Sequence, residues 1–174
     1  MTGLYGGAFD PPHNGHVALV RAAQDHFGFD RLVVLVTESP GHKPVHAPAE
    51  ARLQLAAAAF PGLEVELDPF GWTIDMLRER TWGDSIFLVG ADQLAAFSSW
   101  REPEAVLELA RLGVGTRPGY VRAEAREGIE LFDIPSVDVS SSEVRRRVAA
   151  GEPIDGLVPS AVAELIQRLG LYRR

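Results

Sequence analysis

The chain has 174 residues, 46% hydrophobic and 24% charged, which is the composition of a folded globular domain. It contains no cysteine, which excludes disulfide scaffolds, zinc–thiolate sites, iron–sulfur clusters and thiol catalysis, and is consistent with a cytoplasmic location. The net charge of −7 argues against long nucleic acids as partners. We expect no secretory signal and no membrane span, because no apolar run is long enough to cross a bilayer.

Apolar runs of strand length alternate with segments of helical periodicity along the first 135 residues. We predict strands at residues 2–8, 31–36, 63–67, 85–90 and 112–116. Helices are predicted between them, at residues 15–27, 49–59, 73–81 and 103–110. The continuous apolar runs at 31–36 and 85–90 are typical of strands buried on both faces of a sheet, whereas 63–67 alternates, as in a strand near an edge. This order predicts a Rossmann-like, doubly wound parallel α/β sheet.

The C-terminal part of the chain has a different pattern. Residues 136–174 are predicted to form a small helical appendage to the core at 1–135, within one domain that spans 1–174. Two helices are predicted there, at roughly 141–150 and 159–169. The second helix carries an apolar stripe, most simply explained as core packing, made of Val162, Leu165, Ile166 and Leu169.

The most informative segment joins the first strand to the first helix and reads GGAFDPPHNGH over residues 6–16. It lies at the carboxyl edge of the predicted sheet, where open α/β folds bind ligands. Gly6 and Gly7 lack a Cβ atom, so a ligand can approach the backbone closely, and Gly15 is expected to leave room for a nucleotide. His13 and His16 bracket the start of the helix, where free N–H groups and the helix dipole favour an anion such as phosphate.

Other interpretations of this segment remain open at this point. The two histidines could be half of a metal site, although no third ligand lies nearby in the sequence. The loop could be a dinucleotide-binding turn, but it does not read GxGxxG, and the chain has no Walker lysine motif. The histidines could also simply cap the helix and pack against it.

The segment GGAFDPPHNGH resembles the (H/T)xGH motif of nucleotidyltransferases and, within that superfamily, is most similar to bacterial nicotinate mononucleotide adenylyltransferases. The resemblance implies transfer of an adenylyl group from ATP to nicotinate mononucleotide, with pyrophosphate as the second product, in NAD biosynthesis. It also implies that His16 stabilises the α-phosphate during transfer. The residues of the segment that are implied to bind ATP are Gly7, Ala8, Phe9, His13 and His16.

Three later positions match the family's determinants of the mononucleotide site. Lys43 lies in a Gly-His-Lys-Pro sequence similar to the family's HK loop and is implied to hold a phosphate, the alternative being a solvated lysine. Thr73 is the predicted N-cap of the helix 73–81, whose amides are implied to hold the nicotinate carboxylate, the alternative being capping alone. Trp100 is implied to stack on the pyridine ring, and a core tryptophan is the alternative.

Two further positions match the family's adenosine site. Gly90 and Asp92 follow directly on a predicted buried strand, in a Gly-Ala-Asp sequence that binds the ribose and adenosine in the family; Asp92 as a helix cap is the alternative. Arg117 opens an Arg-Pro-Gly turn after the next strand and is implied to approach the adenine end of ATP.

Residues 139–145 resemble the family's (I/V)SxT/SxxR signature at the start of a helix. Ser140 and Glu143 have the spacing of a capping box, which is compatible with ATP binding because a capped helix start still has free donors. Ser140 is thus also implied to bind ATP. The resemblance implies that four residues hold the triphosphate and the departing pyrophosphate. They are His13, Lys43, Ser142 and Arg145.

The implied mechanism is direct attack of the mononucleotide phosphate on the α-phosphorus of ATP, for which no side chain has to act as the nucleophile. The catalytic residues are then His16, His13, Lys43 and Arg145. We expect Mg²⁺ to arrive with ATP and to be held by phosphate oxygens, so no protein ligand to a metal is assigned. The alternatives are a phosphopantetheine adenylyltransferase, an enzyme that prefers nicotinamide mononucleotide, a cytidylyltransferase, and a module that senses ATP without catalysis.

Overall fold

The computed structural model describes residues 1–41, 44–117 and 127–173. In these residues six strands form one sheet in which every neighbouring pair is parallel. The spatial order is β3-β2-β1-β4-β5-β6. The strands are β1 (Thr2–Gly7), β2 (Arg31–Thr37), β3 (Glu64–Asp68), β4 (Ser85–Gly90), β5 (Arg111–Thr116) and β6 (Ile129–Asp133). The predicted doubly wound parallel sheet is therefore confirmed.

The α-helices of the described residues, five between the strands and two after β6, cover both faces of the sheet. They are α1 (Asn14–Phe27), α2 (Ala49–Ala59), α3 (Thr73–Glu79), α4 (Ala91–Ala95), α5 (Pro103–Leu109), α6 (Ser141–Ala150) and α7 (Ser160–Leu169). A short 3₁₀ helix, Phe97–Ser99, follows α4. Within the described residues, no helix combines the length and apolar character that crossing a bilayer requires.

Two hydrophobic cores lie on opposite faces of the sheet, because successive strand residues point in opposite directions. In β2, Val34 and Val36 belong to the core beneath α1, α2, α6 and α7, and Val33 and Leu35 belong to the core beneath α3 and α5. This alternation explains why the strand reads as one continuous apolar run: each face of the sheet needs its own apolar residues.

The C-terminal helices share the first of these cores with the sheet. Helix α7 packs against α2, and Val144 of α6 and Ile166 of α7 lie in the same buried cluster as Leu55 of α2. The predicted apolar stripe of α7 is only partly buried. Val162 is fully buried, but Leu169 is 40% exposed, so its assignment to the core was wrong. Leu169 is the last residue of α7 and is followed directly by the C-cap Gly170.

One strand was missed by the sequence analysis, and one predicted helix boundary needs correction. Strand β6 was not predicted, although it pairs along its whole length with β5, from Ile129 beside Leu112 to Asp133 beside Thr116. The third helix ends at Glu79 rather than at residue 81. The sheet order changes direction between β1 and β4, so the carboxyl ends of these two strands border the crevice where a ligand is expected.

Candidate functional site

The histidine segment lies at this crevice, between β1 and α1. His13 is the N-cap of α1 with an extended backbone, and its carbonyl oxygen accepts hydrogen bonds from the amides of His16 and Val17. These bonds start the helix. They leave both imidazole side chains on the first turn, at the end of the helix where the dipole favours an anion.

The two imidazole rings form a stacked pair. Their centroids are 3.7 Å apart with an interplanar angle of 24°. The backbone N–H of His13 donates to Nδ1 of His16 over 3.0 Å. Because Nδ1 of His16 accepts this bond, the hydrogen-bond network assigns the proton of a neutral imidazole to Nε2. His16 is therefore fixed in the tautomer whose Nε2–H can donate to a phosphate oxygen.

His13 is held in its neutral form. Burial, and then the positive charge of Arg117, lowers the pKa of His13 to about 4. Its Nδ1 atom is buried and has no hydrogen-bond partner among the residues that the structure describes. A Cβ atom on Gly15 would lie 3.0 Å from this ring. Gly15 therefore makes room for the imidazole of His13, and the expectation that it leaves space for a nucleotide stays a prediction.

The residues before the histidines support the site from below. The ring of Phe9 is buried and packs edge to face against the rings of Tyr5, Phe60 and His16. Only the backbone of Phe9 is thus placed to meet ATP. A Cβ atom on Gly6 would lie 2.9 Å from the ring of Phe87. The absence of a side chain at this glycine is required by core packing, and close approach of a ligand is not needed to explain it.

Asp10 accepts hydrogen bonds from several separate segments of the chain, which the sequence analysis did not predict. Its carboxylate is 5% exposed and accepts hydrogen bonds from the amides of His46 (2.6 Å) and Ala47 (3.1 Å) and from the phenol of Tyr172 (2.8 Å). Its backbone carbonyl accepts a further bond from the guanidinium of Arg145 (2.6 Å). One residue of the loop after β1 thus binds the segment before α2, the start of α6 and the end of the chain.

Arg52 also binds several separate segments of the chain and was likewise missed. It is fully buried on α2, and its guanidinium donates to four carbonyl oxygens. They are those of Ala8 (2.8 Å), Thr37 (2.7 Å), Glu38 (2.7 Å) and Ala47 (3.0 Å). These oxygens come from the loop after β1, the last residue of β2 and the segment between β2 and α2. Arg52 therefore joins the segment implied to bind ATP to the one that leads into the HK sequence. Lys43 itself lies outside the described residues.

The start of α6 meets the histidine loop through hydrogen bonds from Arg145 and Ser141. Ser140 is the N-cap, and its hydroxyl accepts from the amide of Glu143 (3.2 Å). Only this half of the predicted capping box forms, because the carboxylate of Glu143 binds Arg146 and Arg147 instead. Arg145 donates to the hydroxyl of Ser142 (3.1 Å) as well as to the carbonyl of Asp10. The predicted triphosphate ligands on α6 are therefore tied to the loop that carries the histidines.

The predicted adenosine residues lie on the neighbouring strands. Gly90 ends β4 and is the N-cap of α4, so Asp92 stands in the first turn of that helix and is not its cap. Asp92 is exposed, and its Oδ1 atom lies 2.7 Å from where a Cβ atom of Gly90 would be. Arg117 follows β5 directly, is exposed, and lies close enough to His13 for its charge to act on that imidazole.

The predicted pyridine site lies on the other side of the crevice. The N-cap of α3 is Trp72, and Thr73 is the first helical residue, so the prediction of Thr73 as the cap was wrong. Trp100 is half-buried, with its ring edge-on to Phe97 at 5.3 Å. Arg101 binds Asp75 of α3 at 3.0 Å, so the turn that carries Trp100 is held beside the start of α3. Trp72, which the sequence analysis did not single out, is 42% exposed there.

The arrangement places two imidazoles and an arginine at the start of α1 and α6, where they could donate hydrogen bonds to phosphate oxygens. Comparison with known proteins identifies the family. The model of the cytidylyltransferase-like family matches residues 4–147. The chain belongs to this family of nucleotidyltransferases. It is 39% identical, over an alignment 183 positions long, to the probable nicotinate-nucleotide adenylyltransferase of Thermus thermophilus, with 98% of each chain covered. A second probable nicotinate-nucleotide adenylyltransferase, from Rubrobacter xylanophilus, is 35% identical over an alignment 196 positions long, which covers 99% of this chain and 92% of the relative.

A solved structure has the same fold. The Plasmodium falciparum nicotinic acid mononucleotide adenylyltransferase complexed with NaAD superposes with a TM-score of 0.78 and 18% sequence identity. The superposition covers 98% of this chain and 96% of that one. The resemblance that was drawn from the histidine segment is thereby confirmed at the level of the family and the fold.

Proposed function

We propose that this chain transfers the adenylyl group of ATP to nicotinate mononucleotide, giving nicotinate adenine dinucleotide and pyrophosphate in NAD biosynthesis. The curated relatives that span almost the whole chain support this activity by their names. The structural observation that carries the proposal is the pair of stacked imidazoles at the start of α1, joined through Asp10 to Arg145.

The proposed reaction needs no nucleophilic side chain. The phosphate of the mononucleotide is already an anion, and it attacks the α-phosphorus of ATP in line while pyrophosphate departs. His16 donates its Nε2 proton in a hydrogen bond to an oxygen of the α-phosphate, where negative charge accumulates in the transition state. The amide of His13 donates to Nδ1 of this imidazole at a distance of 3.0 Å, which leaves the proton on Nε2. The donor is therefore oriented before ATP binds.

The triphosphate lies, in this proposal, between the first turn of α1 and the start of α6. His13 and Arg145 bind the β- and γ-phosphates, with the hydroxyls of Ser140 and Ser142 as further donors. Arg145 uses two of its N–H groups on Asp10 and Ser142, and a guanidinium has five. Its remaining donors are available for phosphate oxygens.

The adenosine is proposed to contact the backbone of Gly7, Ala8 and Phe9. It then reaches Gly90 and Asp92 across the gap between β1 and β4, where the sheet order changes direction. Arg117 contributes positive charge at the same edge. These positions follow the carboxyl ends of β1, β4 and β5, which are neighbours in the sheet.

The mononucleotide is proposed to lie on the side of the crevice formed by α3 and the turn at Trp100. Trp100 stacks on the pyridinium ring, where a cation–π contribution of about 0.5–2 kcal/mol is available. Thr73 at the start of α3 contacts the nicotinate group, and Lys43 binds the phosphate. Because Trp100 is only half-buried, one part of its indole is open to a ligand.

Mg²⁺ is proposed to enter as the complex with ATP. The residues that the structure describes contain no group of three histidine or carboxylate side chains that could hold a metal ion. The proposal assigns no protein ligand to the metal ion, and the roles of the residues above do not depend on one. The absence of cysteine suits a reducing compartment, and a cytoplasmic location is part of this proposal.

The test is to incubate the purified protein with ATP and Mg²⁺ and to add one acceptor at a time. The acceptors are nicotinate mononucleotide, nicotinamide mononucleotide and phosphopantetheine, and the products are pyrophosphate and the separated dinucleotides. We expect nicotinate adenine dinucleotide from the first acceptor at the highest kcat/KM. Pyrophosphate release that requires phosphopantetheine, or ATP binding without turnover of any acceptor, would refute the proposed function.

A further inference from the structure

The last turn of the chain folds back onto the histidine loop. Gly170 ends α7 in the left-handed region (φ 63°), and the amide of Leu171 donates to the carbonyl of Ile166. Tyr172 follows with φ 60°, a conformation that residues other than glycine rarely adopt. This turn carries the phenol back to the loop after β1, where it donates to Oδ1 of Asp10 over 2.8 Å.

Two side chains meet the Asp10 carboxylate: the phenol of Tyr172 and the imidazole of His46, whose Nδ1 lies 3.2 Å from Oδ2. The same carboxylate accepts from the amides of His46 and Ala47. Burial, and then the negative charge of Asp10, raises the pKa of Tyr172, so the phenol keeps its proton and remains a donor. Asp10 is buried, and a buried carboxylate that loses a donor is driven to move or to admit water.

A shift of Asp10 is transmitted to the residues proposed to act on phosphate. Asp10 is three positions before His13, and its carbonyl binds the guanidinium of Arg145. Ser141 also donates to the carbonyl of Pro11 over 2.8 Å, so the loop is bound to α6 at two successive residues. Any displacement of the carboxylate therefore alters the spacing of His13 and Arg145.

We propose that Tyr172 is a positioning residue for adenylyl transfer, which acts through Asp10 to hold the histidine loop against α6. The inference rests on the proposed function for its kinetic consequence. It does not place Tyr172 in contact with either substrate. It assigns the C-terminal turn a part in setting the distance between the donors that bind the triphosphate.

The main test compares Tyr172→Phe with wild type and with Arg173→Ala. The Phe variant keeps the ring and removes only the hydroxyl. Arg173 is the next residue and is exposed, and its one hydrogen bond among the described residues is a long contact with the carbonyl of Gln167, at 3.4 Å. We expect kcat to fall about tenfold in Tyr172→Phe, with the KM for each substrate within about threefold of wild type, since small misplacements act mainly on the transition state. Arg173→Ala is expected to keep the wild-type kcat.

A second measurement separates positioning from a loss of folded protein. Kinetics are measured well below the melting temperature of each variant. Asp10→Asn is then combined with Tyr172→Phe, and we expect the double variant to have the kcat of Asp10→Asn alone, because both changes break one pathway. A kcat within twofold of wild type in Tyr172→Phe, an equal fall in Arg173→Ala, or additive effects with Asp10→Asn would each overturn the proposal.

Hydrogen exchange tests the same idea without turnover. Tyr172→Phe is expected to increase amide exchange in the peptides that contain residues 8–17 and 44–48, and Arg173→Ala is not. If the wild-type protein makes no nicotinate adenine dinucleotide, the proposed function fails, but this comparison still decides whether Tyr172 holds the loop. Unchanged exchange in both peptides would overturn the positioning role even if the variant were slow.

Discussion

Replacement of Arg52 by methionine tests whether one buried guanidinium holds the two substrate loops together. Methionine has a similar length and fills most of the volume, but it donates no hydrogen bond. The variant leaves four carbonyl oxygens without this donor, on Ala8, Thr37, Glu38 and Ala47.

The expected cost follows from those bonds. A hydrogen bond to a charged group contributes about 1.5–3 kcal/mol, but bonds from one guanidinium are not additive, and removal of one partner from a buried charged network costs about 3–5 kcal/mol. We therefore expect Arg52→Met to lower the free energy of unfolding by about 4 kcal/mol, a large share of the roughly 5–15 kcal/mol typical of a domain. Arg52→Lys retains a charge with three donors and is expected to lose about half as much.

The assay is urea denaturation followed by tryptophan fluorescence and circular dichroism, with Arg21→Met as the matched control. Arg21 is an exposed arginine on α1, and its replacement is expected to change the free energy of unfolding by less than about 0.5 kcal/mol. The KM values of Arg52→Lys for both substrates are expected to rise, because both loops depend on the guanidinium. A loss below about 1 kcal/mol in Arg52→Met, or one equal to that of Arg21→Met, would refute this reasoning.

Three further predictions address the site and its electrostatics. His16→Ala is expected to lower kcat by roughly 10²–10³-fold, the effect of removing one preorganised donor, and near-normal turnover would exclude the role assigned to His16. Trp100→Ala is expected to raise the KM for nicotinate mononucleotide and to leave the KM for ATP nearly unchanged, so an equal rise in both would contradict the stacking assignment. Burial raises the pKa of Asp68 to about 6, so the folded state binds this proton more tightly than the unfolded state does. The free energy of unfolding therefore falls as the pH rises from about 4 through 6 and the buried carboxyl loses its proton. Asp68→Asn is therefore expected to raise the free energy of unfolding by about 2–3 kcal/mol at pH 8 and by almost nothing at pH 4. The control is Asp25→Asn, at an exposed position. A similar gain from this control at pH 8 would show that the effect comes from the lower net negative charge and not from burial of Asp68.

The strands that the sequence revealed are those whose pattern is local. Residues 32–36 and 85–89 are buried on both faces, so the continuous apolar runs at 31–36 and 85–90 predicted β2 and β4. Strand β6, Ile129–Asp133, contains two acidic residues in five and has no such run. It is a strand because β5 supplies its hydrogen-bond partners, and that pairing cannot be predicted from the residues of β6 alone.

The same distinction separates the site residues that were found from those that were missed. His13 and His16 belong to one short motif, whereas the contact between Asp10 and Tyr172 joins residues 162 positions apart. A local signal did exist for Arg52. It shares a helical face with Leu55 and other buried residues of α2, so an arginine on that stripe had to find polar partners inside the protein.

The contact between Asp10 and Tyr172 also sets an order of events during translation. Strand β1 is synthesised before Tyr172, so the loop after β1 meets its phenol donor only after Tyr172 has been made. A nascent or truncated chain that stops at residue 171 contains every strand and helix of the described residues but lacks the phenol. Such a chain can form the whole sheet while the carboxylate of Asp10 still lacks one of its hydrogen-bond donors.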